Sequence, residues 1–218
     1  MTIQSLLLHK SAKPIAMFLC SIPFFYLLNL TLTNQLGANP EEFLIRGTGD
    51  WVIRFLCLTL LVSPLKDIFK ITALARFRRI IGVSTFVYGT LHLMCYLLIS
   101  MSLDFEEITK DILKRPFIWV GIIAWIFLLA LAATSFDRVI KAMGAKTWKR
   151  LHKCVFAIAA LGVLHFYWMK AAKHNFSEVK IYGAILAVLI LFRIVRWLLT
   201  YYKTKISSNK VKSKFLSI

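Results

Sequence analysis

Six separate stretches of this chain are each apolar for close to the 20 residues that a helix needs to cross a hydrocarbon core of about 30 Å. They run approximately Ile15–Thr33, Thr48–Leu65, Ile80–Ser100, Phe117–Ser135, Leu151–Lys170 and Val179–Thr200. With 59% hydrophobic and only 17% charged residues in 218, a water-soluble fold is excluded, because lipid is needed to cover the apolar surplus. The expected fold class is an all-α integral membrane protein, a six-transmembrane-helix bundle forming one domain over residues 1–218. Breaker signals separate the spans: Gly37-Ala38-Asn39-Pro40 after the first, Pro64 ending the second, Arg115-Pro116 opening the fourth and Gly144 before the fifth. Lys10 and Lys13 precede the first span, but its apolar run is too long for a signal peptide and no small-x-small site follows it. It is read as a retained helix.

The charge distribution sets the orientation. If the N-terminus is cytoplasmic, the inner segments are the N-terminal tail, residues 66–79, residues 136–153 and the end from Arg193. These hold 20 of the 28 Lys+Arg and, of the acids, only Asp67 and Asp137; the outer side balances to zero. The excess of basic residues near the inner span ends therefore places both termini in the cytoplasm. It also accounts for the net charge of +18 without nucleic acid. The basic tail from about residue 201 (Lys203, Lys205, Lys210, Lys212, Lys214) reads as an anchor to lipid headgroups.

Ionisable side chains inside spans are costly to bury and mark candidate sites. His92 lies on the third span, and His152 and His165 near the two ends of the fifth; His9 and His174 fall outside and read as surface residues. Both helices enter from the inside, and Arg79 to His92 and His152 to His165 are each 13 residues, about 20 Å of helix. His92 and His165 thus share a depth toward the outer face. Two neutral imidazoles facing each other at one level suit the axial positions of a low-spin haem iron. Gly89 and Gly162, three residues before each histidine, would let a flat macrocycle approach the backbone. The competing account, a hydrogen bond from each histidine to a neighbouring helix, is sufficient for one histidine but less so for a matched pair.

His152 lies at the inner edge level with Arg78 and Arg79, and its 13-residue offset points it to a different face from His165. It stands as a ligand of a second haem, a contact to a flavin or quinone, or a helix cap. Arg54, one turn from Asp50, either forms an exposed i,i+4 pair or holds a haem propionate. The single, scattered cysteines Cys20, Cys57, Cys95 and Cys154 argue against covalent haem, iron–sulfur and zinc sites, and no phosphate-loop, dinucleotide or nucleophile-elbow motif occurs. A small six-helix transporter or channel moving protons or metal through its histidines is the alternative, disfavoured because no carboxylate lies deep in a span.

Taken in order, Gly37-Ala-Asn-Pro40, Leu60-Leu-Val-Ser-Pro-Leu65, Arg78-Arg-Ile-Ile-Gly82, Leu91-His92, Arg115-Pro116, Gly121-Ile-Ile-Ala-Trp125, Trp148-Lys-Arg-Leu-His152 and Leu164-His165 resemble a known pattern over nearly the whole chain. The pattern is that of the ferric-reductase-like transmembrane family, and within it the haem-binding membrane subunits of bacterial periplasmic protein-methionine-sulfoxide reductase systems. The resemblance implies haem b held by His92, His152 and His165, as one group or two, and FMN as a further cofactor. It implies a periplasmic molybdopterin-containing catalytic subunit as partner in a heterodimer, a quinone pool or separate flavin reductase as electron donor, and residence in the bacterial inner membrane. Arg78 and Arg79 stand where two-haem relatives place a histidine. The chain ends shortly after its sixth span, so no appended nicotinamide domain is expected.

Two expectations concern direction. The cytoplasmic charge, with Arg78, Arg79 and His152, would attract an anionic flavin phosphate. The outer segment with Asp104, Glu106, Glu107 and Asp111 is expected to face the periplasmic partner.

Overall fold

The protein is described by a computed structural model covering residues 3–171 and 176–216, with side chains described up to residue 206. His174 and the side chains of Lys210, Lys212 and Lys214 lie outside this description. Among the described residues the chain is helical, without strands: α1 (Ile3–Leu8), α2 (Ala12–Leu32), α3 (Pro40–Phe69), α4 (Phe77–Met94), α5 (Phe105–Lys114), α6 (Pro116–Ala133), α7 (Asp137–Met143), α8 (Ala145–Leu151), α9 (Val155–Ala171) and α10 (Ser177–Leu216). Helix α3 packs along α4, α6 along α9, and α10 closes against α3 and α9, while α2 lies at the periphery. The core is a dry aliphatic column in which Leu56, Leu60, Ile158, Ala159 and Leu186 are at most 2% exposed. Large apolar side chains such as Phe18, Val188 and Trp197 point outward, as lipid-facing positions do.

Five helical segments are long and apolar enough to cross a membrane: Ala12–Leu32, Thr72–Ser100, Pro116–Ala133, Ala145–Ala171 and Ser177–Ile206. Helix α3 contains the sixth expected stretch and spans 30 residues, but Arg46, Asp50, Arg54, Lys66 and Asp67 make it more polar than the other five. Asn39 starts it by accepting the Glu42 N–H at 3.2 Å, with Pro40 at the first helical position, where its missing N–H costs nothing.

Pro64 does not end this helix, contrary to the sequence expectation. Helix α3 continues to Phe69 and stops where Lys70 turns left-handed at φ 57°. A proline inside a helix leaves the carbonyl four residues earlier without its partner. Here that carbonyl belongs to Leu60, and the Arg193 guanidinium donates to it at 2.9 Å, which supplies the missing hydrogen bond from α10.

The second internal proline, Pro23 in α2, is accommodated differently. The Tyr88 hydroxyl accepts the Phe24 N–H at 2.8 Å and donates to the Cys20 carbonyl at 3.0 Å, so a side chain from α4 is spliced into the opened ladder of α2. Helix α4 passes into a π-helical turn over Cys95–Ser100, directly after His92. A 3₁₀ turn over His152–Cys154 separates α8 from α9.

Candidate functional site

Helices α3, α4, α6 and α9 enclose a cavity of about 520 Å³, within the size range of cofactor sites. Into it project His92 from α4 and His165 from α9, the pair matched by depth in the sequence. Their ring centres lie 6.1 Å apart with planes crossed at 86°. Two imidazoles bound to one metal at about 2.0–2.1 Å, each ring centre about 1.2 Å beyond its nitrogen, would place their centres about 6.4–6.6 Å apart. The observed separation is a few tenths of an ångström short of that, so a small outward shift of either ring would admit one metal atom between them.

Each ring is oriented by a backbone carbonyl. His92 Nδ1 lies 2.9 Å from the Ile45 carbonyl and His165 Nδ1 lies 2.7 Å from the Phe117 carbonyl. A carbonyl only accepts, so each Nδ1 carries its proton and each Nε2 is left as a lone-pair donor. This outer hydrogen bond is what fixes the tautomer of a metal-binding histidine.

The rings fit because glycine lies beneath each. A Cβ built on Gly49 would meet the His92 ring at 3.1 Å, and one on Gly121 would meet the His165 ring at 2.9 Å. The two halves share one design: an acceptor carbonyl (Ile45, Phe117), a glycine four residues later (Gly49, Gly121), and an imidazole from the facing helix lying across both. The sequence argument pointed instead to Gly89 and Gly162 on the histidines' own helices. Both line the cavity, but a Cβ on Gly89 would meet Leu128 at 3.4 Å and Trp125 at 3.7 Å, and one on Gly162 would meet Leu56 at 3.9 Å, none of them a histidine.

At the end of the cavity bearing α5, the rim is charged. Arg46, Arg115 and Lys170 line it together with Glu41, Glu42 and Asp50. Arg46 pairs with Glu42 one turn away, Arg115 Nε donates to Asp111 at 2.6 Å, and Lys170 donates to Glu178 at 2.9 Å. Asp111 also accepts the Tyr96 hydroxyl at 2.9 Å. Of the four acids expected on an outer docking surface, Asp111 is therefore turned to the rim, Asp104 caps α5 through the Glu106 and Glu107 N–H groups, and Glu106 pairs with Lys110.

The other sequence candidates lie elsewhere. Arg54 is outside the lining: its Nε donates to the Tyr182 hydroxyl at 2.9 Å, its guanidinium sits 4.8 Å over Trp51, and Asp50 is 4.0 Å away. His152 is also outside the lining, stacked at 4.1 Å on Trp148 with Nε2 3.2 Å from the Thr134 hydroxyl. Arg79 pairs with Asp137 at 2.6 Å. Arg78 reaches the Ser63 hydroxyl at 3.4 Å, and Arg193, which sequence reasoning did not single out, reaches the same hydroxyl at 3.1 Å. The buried Arg193 Nε has no partner.

The model of the ferric reductase like transmembrane component matches residues 48–163, which include the Gly49, His92 and Gly121 part of the cavity. The chain is 51% identical over 191 residues to the protein-methionine-sulfoxide reductase heme-binding subunit MsrQ of Polaromonas naphthalenivorans, covering 88% of this chain and 87% of the relative. The chain belongs to the MsrQ family. The MsrQ proteins of Herminiimonas arsenicoxydans and Ralstonia nicotianae are 47% and 43% identical, covering 79% and 88% of this chain and 79% and 90% of their own lengths. MsrQ membership, with the apolar helices, makes this a multi-pass membrane protein and tells against the transporter alternative.

Proposed function

We propose that this MsrQ relative is the haem b-binding electron-transfer subunit of a protein-methionine-sulfoxide reductase system in the bacterial inner membrane. The observation that carries the proposal is the His92–His165 pair, 6.1 Å apart, with both Nδ1 protons committed to carbonyls. Among the described residues no three His, Cys, Asp or Glu side chains gather as a metal cage. Two imidazoles 6.1 Å apart in a cavity of 520 Å³ would suit an iron whose other positions come from a macrocycle. Haem bound there supplies a one-electron carrier.

The chain's own residues perform the rest. His92 and His165 hold the iron from opposite helices, Gly49 and Gly121 let their rings lie flat, and Ile53, Leu56 and Ile158 keep water from the inner wall. One haem is assigned. His152, stacked on Trp148 and bonded to Thr134, faces no second histidine here.

The topology proposed has six spans, α3 being the second, with both termini cytoplasmic and the cavity in the outer half. Helix α3 tolerates its charges because Arg54 is bonded to Tyr182 with Asp50 one turn away, and its other ionic groups lie toward its ends. FMN is assigned to the inner end, its phosphate drawn to Arg78 and Arg79, the latter exchanging its exposed pair with Asp137. Electrons come from a quinol or a separate flavin reductase, and the partner is a periplasmic molybdopterin-containing subunit that holds the catalytic site. The chain itself is not the catalyst of sulfoxide reduction.

Optical spectroscopy tests the reading. His92→Ala and His165→Ala should each abolish the low-spin Soret and α bands, while His152→Ala should leave them largely intact; pyridine haemochrome should give one haem per chain. A colourless wild-type protein made with ample haem supply would reject the function, and a ratio of two would place a second haem at the inner end.

A further inference from the structure

An arginine lies close in the chain to each carbonyl that orients a histidine. Arg46 is the residue after Ile45, whose carbonyl orients His92; Arg115 is two residues before Phe117, whose carbonyl orients His165. The arginines thus stand on opposite sides of the slot, on α3 and at the start of α6, and both line it. Each is held by an acid one turn earlier in its own chain segment, Glu42 for Arg46 and Asp111 for Arg115. The Arg46–Glu42 pair is 34% and 36% exposed, weak enough for Arg46 to exchange its acid for a better-placed carboxylate, whereas Asp111 is 15% exposed and meets Arg115 through both Nε and Nη2, so Arg115 exchanges at a higher cost or keeps Asp111 and offers its remaining N–H groups. Lys170 is committed differently: it is 12% exposed, reaches across to Glu178 on another helix and lies 5.5 Å over Phe166. Arg54 is excluded because it is bonded to Tyr182 away from the lining.

We propose that Arg46 and Arg115 are the two anchors of the haem's propionate carboxylates, one on each side of the cavity mouth, in competition with Glu42 and Asp111. The planar fork of an arginine suits a carboxylate in two-point contact, and two such forks on opposite walls fix which edge of the macrocycle faces the rim. The proposal rests on the haem reading above and adds residues that reading does not need. It also carries a sign. The rim already contains Glu41, Glu42 and Asp50, so the propionates gain Arg46 only by displacing an acid.

The test uses purified full-length protein and measures haem release to excess apomyoglobin, with the optical spectrum recorded first. Arg46→Gln and Arg115→Gln should keep the low-spin spectrum, since neither touches a ring, and should each speed release about tenfold, the loss of one charge-assisted bond. Glu42→Gln should slow release, because it removes the competitor. If Arg46 only braced α3 through Glu42, the Arg46 and Glu42 substitutions would change release in the same direction, and the proposal would be overturned. Reconstitution with haem dimethyl ester, which has no free carboxylates, should make all three variants release like wild type; a persisting difference would also overturn it. Loss of the Soret band from wild type would instead reject the haem reading itself.

Discussion

Gly121 lies so close beneath His165 that a Cβ on the glycine would stand 2.9 Å from both Cε1 and Nδ1 of the ring. Real side chains do not approach so closely, so Gly121→Ala must push the imidazole off its rotamer or the helix off its seat. An off-rotamer torsion costs about 0.5–1.5 kcal/mol, so haem should be held about tenfold more weakly if the ring bears the displacement. The check is haem release with the Soret band position. Gly82→Ala, where a Cβ would meet only Thr59 at an ordinary 3.7 Å and which lies outside the cavity lining, serves as the control.

The crossed planes of His92 and His165, at 86°, carry a spectroscopic consequence. Perpendicular axial imidazoles leave two iron d orbitals nearly degenerate, whereas parallel rings split them. The oxidised haem protein should therefore give a strongly anisotropic, low-field EPR signal. A well-resolved three-line rhombic spectrum would show that the rings turn when the iron is bound.

Tyr88→Phe removes the hydroxyl that accepts the Phe24 N–H and donates to the Cys20 carbonyl. Leaving buried backbone groups without partners costs about 1–3 kcal/mol. The variant should lose thermal stability in detergent by that order while retaining the haem spectrum, because Tyr88 does not line the cavity. Equal stability would mean that α2 closes its own ladder.

The Arg79–Asp137 pair joins α4 to α7, and the arginine's hydrogen bond and charge hold the Asp137 carboxyl below the usual carboxylate range. A depressed acid stabilises the fold above its unfolded pKa, about 3.9, and that contribution disappears as pH falls through the lower folded value. Wild type and Asp137→Asn should therefore differ by a small, constant amount from pH 7 down to about pH 5 and converge only in stronger acid. A difference that vanished near pH 6.5 would assign the effect to a histidine.

Counting residues was enough to pair His92 with His165, because depth along two helices entering from the same side is a one-dimensional quantity. It could not find Gly49 or Gly121. Their roles depend on how α4 lies against α3 and α9 against α6, and a glycine four residues after an unremarkable carbonyl carries no mark in the sequence. The same limit explains Arg54: its place in a span suggested the cavity, but rotation about the helix axis turns it toward Tyr182. Pro64 read as a stop because the residue that relieves it, Arg193, lies 133 positions from Leu60 in the chain. Helix α3 extends past its apolar stretch at both ends because Asn39 and Lys70 set its limits, not hydropathy.

The splice between α2 and α4 also bears on how the chain enters the bilayer. Helix α2 is synthesised before α4, and Pro23 leaves it with a broken ladder that lipid cannot repair. Its repair group, Tyr88, is synthesised 64 residues after Phe24. Until then the opened turn must borrow water from the translocon or wait at the interface, so α2 is expected to settle only when α4 packs against it. Biogenesis would thus be ordered by a single hydroxyl.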